Sequence, residues 1–280
     1  MPTLRVIGPG RAGLSLSRAL TDAGWRALSP VARDGDIAGA AAGADLVVVA
    51  VPDAAVAAVA GAIDPRPETV VAHLAGSLGL DALAPHERRA SLHPLVALPD
   101  PVIGAARLRG AWFAVAGDEL VEKAVADLGG RPLRVPDDQR TAYHAAACIA
   151  SNHIVALLAS VERVAAEAGV PLEAYLDLVR ATVDNVAALG PAAALTGPAA
   201  RGDWATIDRH RQVIPDEDRD AYEALLAAAA RLAGRSDERG HGRPQRWRDD
   251  VSDARSRSGF AGRREPISEP QDAASESICR

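Results

Sequence analysis

Gly8-Pro9-Gly10-Arg11-Ala12-Gly13 sets three glycines at the spacing GxGxxG, directly after the apolar stretch Leu4–Ile7 and directly before a helical pattern. In that context each glycine has a task. Gly8 permits a tight turn, Gly10 lets a pyrophosphate approach the backbone, and Gly13 lets helix and strand pack closely. The free amides and positive end of the helix then suit an anion. Arg33, with Arg11 in the loop itself, suits the 2′-phosphate of NADP, since the residue about 20 positions past the loop reads the ribose and an acidic one would favour NAD. Asp34 and Asp36 stand close enough to compete, so the reading is NADP with NAD open. Val51, Pro52 and Asp53 close the most apolar strand pattern, and ligands of parallel sheets lie beyond the carboxyl ends of the strands, so Asp53 should line the nicotinamide side of the crevice.

Proton exchange near neutrality calls for a histidine or a lysine of lowered pKa. Of the 31 Lys and Arg residues a single one, Lys123, is lysine, and its helical pattern Asp118–Leu128 should expose it to water. Histidines remain. In the long helical pattern Asp138–Ala168, residues advance by about 100°, which sets His144 and Ser151 about 20° apart and Asn152 about 80° from His144. His144, Ser151 and Asn152 thus form a polar stripe able to face a cleft or to satisfy a hydrogen-bond network between helices, with His153 nearly opposite. His73 lies inside an apolar strand pattern and reads as packed core. Arg201 follows the turn Gly197-Pro198, and its guanidinium fork matches a carboxylate. With Thr196 it is a candidate for an acidic substrate group; pairing with Asp203 is the alternative.

These residues need elements to place them. Strand patterns run at Leu4–Ile7, Trp25–Val31 (with Pro30 able to end it near Leu28), Ala44–Val51, Thr69–Leu74 and Trp112–Val115. Helical patterns lie between them at Ala12–Ala23, Ala54–Ile63 and Asp118–Leu128. Such alternation predicts an α/β Rossmann-like domain with a parallel sheet over residues 1–136. Residues 137–233 carry only helical patterns and predict an all-helical second domain; residues 234–280, rich in Arg, Gly, Ser and Pro, predict a disordered tail. Ala142–Val161 is uncharged and has the length of a membrane span, but His144, Ser151, Asn152 and His153 would be costly in lipid, so a central buried helix is expected.

Composition narrows the function classes. A 280-residue chain that is 48% hydrophobic with a net charge of -6 has a sizeable core and no basic field for nucleic acid or an acidic membrane. Two cysteines, Cys148 and Cys279, form neither a disulfide framework nor a metal-ligand spacing, so no metal is expected. With no leader pattern at the start, the expectation is a cytoplasmic protein acting on a small molecule.

Several strings carry a family resemblance: GPGRAGLSLSRAL from Gly8, ADLVVVAVPD from Ala44, HLAGS from His73, SLHPL from Ser91, YHAAACIASN from Tyr143 and ALTGPAARGD from Ala194. The chain resembles Rossmann-like proteins with a C-terminal domain of unknown function 2520 and, more distantly, pyrroline-carboxylate reductases, prephenate dehydrogenases and ketopantoate reductases. The resemblance implies a nicotinamide-dependent oxidoreductase, dimeric through the helical domain. It also implies that His93 acts beside the substrate oxygen with Ser77 accompanying it, as in prephenate dehydrogenases; a strand-end cap before Pro94 is the other reading of His93. Ketopantoate reductases and β-hydroxyacid dehydrogenases use a lysine on the long helix, which this helix lacks. The expectation is therefore an NADP-dependent oxidoreductase of a small, carboxylated carbonyl or imine compound, the alternative being a dinucleotide-binding sensor or scaffold without turnover.

Overall fold

A computed structural model describes residues 1–235. Its first compact unit spans residues 1–158 and its second begins at residue 159. The first runs past the expected boundary at 136 because the start of the long helical pattern is pinned to the sheet, Arg140 bonding Ser91 and Tyr143 bonding His93.

Among the described residues seven strands form one sheet: β1 (Thr3–Ile7), β2 (Arg26–Ala27), β3 (Leu46–Val49), β4 (Val70–His73), β5 (Arg89–Pro94), β6 (Trp112–Gly117) and β7 (Arg131–Arg134). Their order is β2-β1-β3-β4-β5-β6-β7, parallel throughout except that β5 and β6 are antiparallel. Strand parity assigns side chains to two faces. Leu46 and Val48 join Leu4, Val6, Val70, Ala72, Ala90 and Leu92 in one apolar core, while Val47 and Val49 join Ile7 and Val71 in another. Burial on both faces explains the unbroken apolar run of β3. The first core is covered by α1 (Arg11–Asp22), α3 (Pro101–Leu108) and α4 (Leu120–Asp127), and the second by α2 (Asp53–Gly61).

Several expectations are corrected in detail. The second strand is two residues long, because Pro30 cannot donate to the ladder; Val31 rejoins only as an isolated bridge to Ile7. Strands β5 and β7 and helix α3 add to the expected elements. Asp100 starts α3, its Oδ1 accepting from the amides of Val102 and Ile103 at 2.8 and 2.9 Å, with Pro101 in the first turn.

The long helical pattern is broken. It runs as α5 (Arg140–Cys148), a π turn at Ile149–His153 and α6 (Ile154–Glu167). Among the described residues the run Asp137–Glu167 is long and apolar enough to cross a membrane, and its most apolar window is wholly unburied. The expected central buried helix is thus an exposed one. In the second unit follow α7 (Glu173–Leu189), α8 (Pro191–Ala194), α9 (Gly197–Arg201), α10 (Trp204–Val213) and α11 (Asp216–Leu232), all helical as expected. Asp218 accepts bonds from Ser160 and Arg163 and so ties α11 to α6. Of the expected disordered tail, Gly234 and Arg235 are ordered, Arg235 donating to the Ala200 carbonyl at 2.7 Å, and the rest lies outside the described residues.

Candidate active site

The glycine loop lies where the winding of the sheet reverses, between β1 and β3, the position at which open α/β sheets bind ligands. Packing dictates two of its glycines. A Cβ on Gly8, whose φ is +90°, would stand 2.5 Å from the Ala50 carbonyl oxygen, and one on Gly13 would stand 2.6 Å from the Gly8 oxygen and 2.7 Å from Val6 Cγ1. Gly10 differs: nothing lies within 4 Å of its would-be Cβ, so the space over it is open, and it caps α1. The helix leaves its first amides without intrahelical partners, toward that space. This is a cradle for an anionic group, and the residues fit a dinucleotide pyrophosphate. Pro9 and Arg11 are exposed at its rim, while Ala12 is half-buried.

Arg33 lies next to this loop through the backbone. The Gly8 amide donates to the Val31 carbonyl at 2.9 Å, and Arg33 sits exposed in the turn two residues on. Of its two acidic rivals, Asp36 is engaged, its Oδ1 accepting from the Gly39 amide at 2.9 Å.

Beyond the carboxyl ends of the next strands a second cluster forms. His73 and Ser91 are register partners across β4 and β5, and His93 lies two residues past Ser91, so all three emerge on one face. That face is covered by α5. Arg140 and Tyr143, three residues apart on one side of the helix, meet it at two rungs: Arg140 Nη2 donates to Ser91 Oγ, and the Tyr143 hydroxyl lies 2.7 Å from His93 Nδ1 in a hydrogen bond. Arg140 is 0% exposed, and its Nε also donates to Asp137 Oδ1 at 2.8 Å. The His93 ring meets Tyr143 and His144 edge-on, with centroids 5.5 and 5.9 Å apart.

Gly76 closes the cluster. A Cβ there would fall 2.6 Å from His144 Nδ1 and 3.0 Å from His93 Nε2, so both imidazoles press against the same backbone position. Next to it, Ser77 Oγ donates to Asp53 Oδ2 at 2.8 Å, joining the β4 loop to the first residue of α2. Val51 and Pro52 lead into that turn, Val51 packing against Gly8. Buried nitrogens without partners gather in this cluster: His73 Nδ1, Arg140 Nη1 and His144 Nδ1.

Electrostatics follow from this crowding. Burial pushes the His93 pKa down to about 4, reinforced by His144, Arg140 and His73 and opposed by Asp53. Burial also lowers that of His73, whose Nε2 lies 3.3 Å from the Gly79 carbonyl, and raises that of Tyr143 against the pull of Arg140. His93 is therefore neutral near pH 7.

Other expected site residues fall differently. Ser77 bonds Asp53 and not His93; the partner of His93 is Tyr143, and sequence reading did not single out Tyr143 or Arg140. The same helical-wheel arithmetic that selected His144 could have placed both on one face, but a charged arginine reads as a surface residue. The stripe of His144 with Ser151 and Asn152 is corrected: the π turn needs more residues per turn than an α-helix, so the angle per residue fails across it. Ser151 and Asn152 are exposed and bonded to each other, Ser151 Oγ donating to Asn152 Oδ1 at 3.2 Å, while His144 Nε2 faces Cys148 Sγ at 3.6 Å. His153 is exposed, and His73 is core as expected. Lys123 is exposed and paired with Asp127. In the second unit Thr196 precedes α9 and Arg201 ends it, both exposed; Asp203 instead caps α10 through Thr206. Among the described residues no group of three metal-ligating side chains occurs.

Residues 26–99 match a Rossmann-like domain and residues 113–229 match a domain of unknown function, number 2520. No curated protein matches this chain in sequence. Its fold is shared with a Bacteroides fragilis protein described as an NADP oxidoreductase, at 21% identity and a TM-score of 0.71 over 82% of this chain and 98% of that one. A Thermotoga maritima protein follows at 22% and 0.61, covering 82% and 98%. The Plasmodium falciparum pyrroline carboxylate reductase with NADP bound shares the fold at 13% and 0.54, covering 83% and 98%.

Proposed function

We propose that this chain is an NADP-dependent oxidoreductase that reduces a small, carboxylated carbonyl or imine compound. One observation carries the reading: a phosphate cradle whose Gly8 and Gly13 packing requires adjoins, along the same sheet edge, a half-buried histidine hydrogen-bonded to a tyrosine. When bound, the nicotinamide would supply the hydride. The chain's own residues do the rest. Gly8–Gly13 hold the pyrophosphate, Arg33 the 2′-phosphate, and Asp53, fixed by Ser77, lines the crevice. His93 exchanges the proton. A sensor without turnover needs no such proton-transfer pair, so turnover is the better reading. The sharing of fold with dinucleotide-binding reductases supports it, as does the acidic, cysteine-poor composition for a cytoplasmic location.

Calorimetry tests the cofactor. NADPH should bind at least tenfold more tightly than NADH, about 1.4 kcal/mol, and Arg33→Ala should remove the difference. Equal affinities in the unaltered protein would refute the role of Arg33. A screen of keto acids and cyclic imines with NADPH, followed by absorbance, then identifies the substrate.

A further inference from the structure

The two ring nitrogens of His93 have different surroundings. Nδ1 is 2.7 Å from the Tyr143 hydroxyl, and Nε2 looks to the Gly76 backbone beside the Ser77–Asp53 pair. We propose that Tyr143 is the far end of a two-proton relay through His93, its hydroxyl replacing at Nδ1 the proton that Nε2 gives to the reduced substrate. The proposal rests on the oxidoreductase reading and adds the route of the proton.

The balance is as follows. The Nε2–H bond breaks as an O–H or N–H bond forms on the substrate; the tyrosine O–H bond breaks as Nδ1–H forms. His93 begins and ends neutral, changed only in tautomer. The negative charge moves from the substrate to the Tyr143 oxygen, within the field of Arg140; once the product has left, the Nδ1 proton returns to that oxygen as water protonates Nε2, which restores the starting tautomer. A histidine acting alone would have to begin as imidazolium. Burial disfavours that form, and the charged and titratable groups facing the ring disfavour it further: His144 and Arg140 from α5 and His73 from β4, with Asp53 at the start of α2 the one opposing charge. Tyr143 therefore acts through His93. Arg140 positions both, since its bond to Ser91 fixes α5 against the strand that carries His93.

Nitrogen-15 NMR of the full chain labelled at histidine tests this without a substrate, the His93 signals being assigned by their loss in His93→Gln. The relay requires His93 to be neutral at pH 7 with its proton on Nε2, and Tyr143→Phe should move the population toward the Nδ1–H tautomer. A proton on Nδ1 in the unaltered protein, or an imidazolium at pH 7, overturns the proposal. This measurement stands even if Tyr143→Phe does not fold. With the keto acid or cyclic imine found in the screen, kcat should fall about 10²- to 10⁴-fold in Tyr143→Phe, with NADPH affinity within a few-fold. Mixed H₂O–D₂O rates should then show two protons in flight before the change and one after; a single proton in the unaltered enzyme also overturns it. Failure to bind NADPH would count against the oxidoreductase reading alone and leave the tautomer result intact.

Discussion

Three glycines of one motif make three different demands, and substitution separates them. At Gly13 an added methyl meets the Gly8 oxygen and Val6, backbone and core that cannot yield cheaply, whereas at Gly10 it meets nothing. Gly13→Ala should therefore lower the melting temperature by several degrees, as overpacking of about 1–3 kcal/mol does in a domain of this size. Gly10→Ala should leave the melting temperature within a degree yet weaken NADPH binding at least tenfold, because the open space above it is where the pyrophosphate would lie. Thermal melts and calorimetry on the two variants check both halves. A loss of stability in Gly10→Ala with NADPH affinity intact would mean that the loop is structural and not a phosphate cradle.

The elements that hold the active cluster are β4, β5 and α5, and their charge state predicts a pH effect. His73 and His93 have folded-state pKa values below the unfolded 6.5, so between pH 6.5 and about 4 the unfolded chain binds protons that the folded chain refuses. Stability should be complete above pH 6.5 and fall as pH drops toward 4, and His93→Gln should flatten that fall; melts across this range test it, and an unchanged slope in the variant would place the loss elsewhere. How much of this was legible in sequence follows from locality. The strand, glycine loop and helix at residues 3–22 were legible because each signal is carried by contiguous residues, as was β3. Strand β5 was missed because Ser91 and His93 interrupt its apolar residues and Pro94 ends it, and β7 because it contains Pro132. The π turn leaves no mark in composition, so the Ser151 and Asn152 placement failed with it. Tyr143 and Arg140 find their partners about fifty residues away, and only the fold makes those contacts visible.

At the scale of the molecule, the odd feature is α7, seventeen residues of helix with no buried residue among them. Leu178 and Leu189 are 64% and 60% exposed, Val183 55%, and every residue from 181 to 189 is exposed. An isolated helix of this length is marginal in water, and helices in proteins persist through packing of an apolar face. Leu178, Val186 and Leu189 fall within one stripe about 80° wide, the kind of surface that a second copy of the chain would bury. A homodimer through the helical domain, which we propose, would supply that cover. It predicts that the full chain runs at twice its chain mass in light scattering and that its melting temperature rises with protein concentration, as linked association requires. Leu178→Asp with Leu189→Asp should give a monomer that melts earlier, because a charge cannot be buried unpaired in such a contact, while the glycine cradle of the first unit should still bind NADPH. A dimer that survives both substitutions, or a native chain that is monomeric at micromolar concentration, would show that α7 is not the interface.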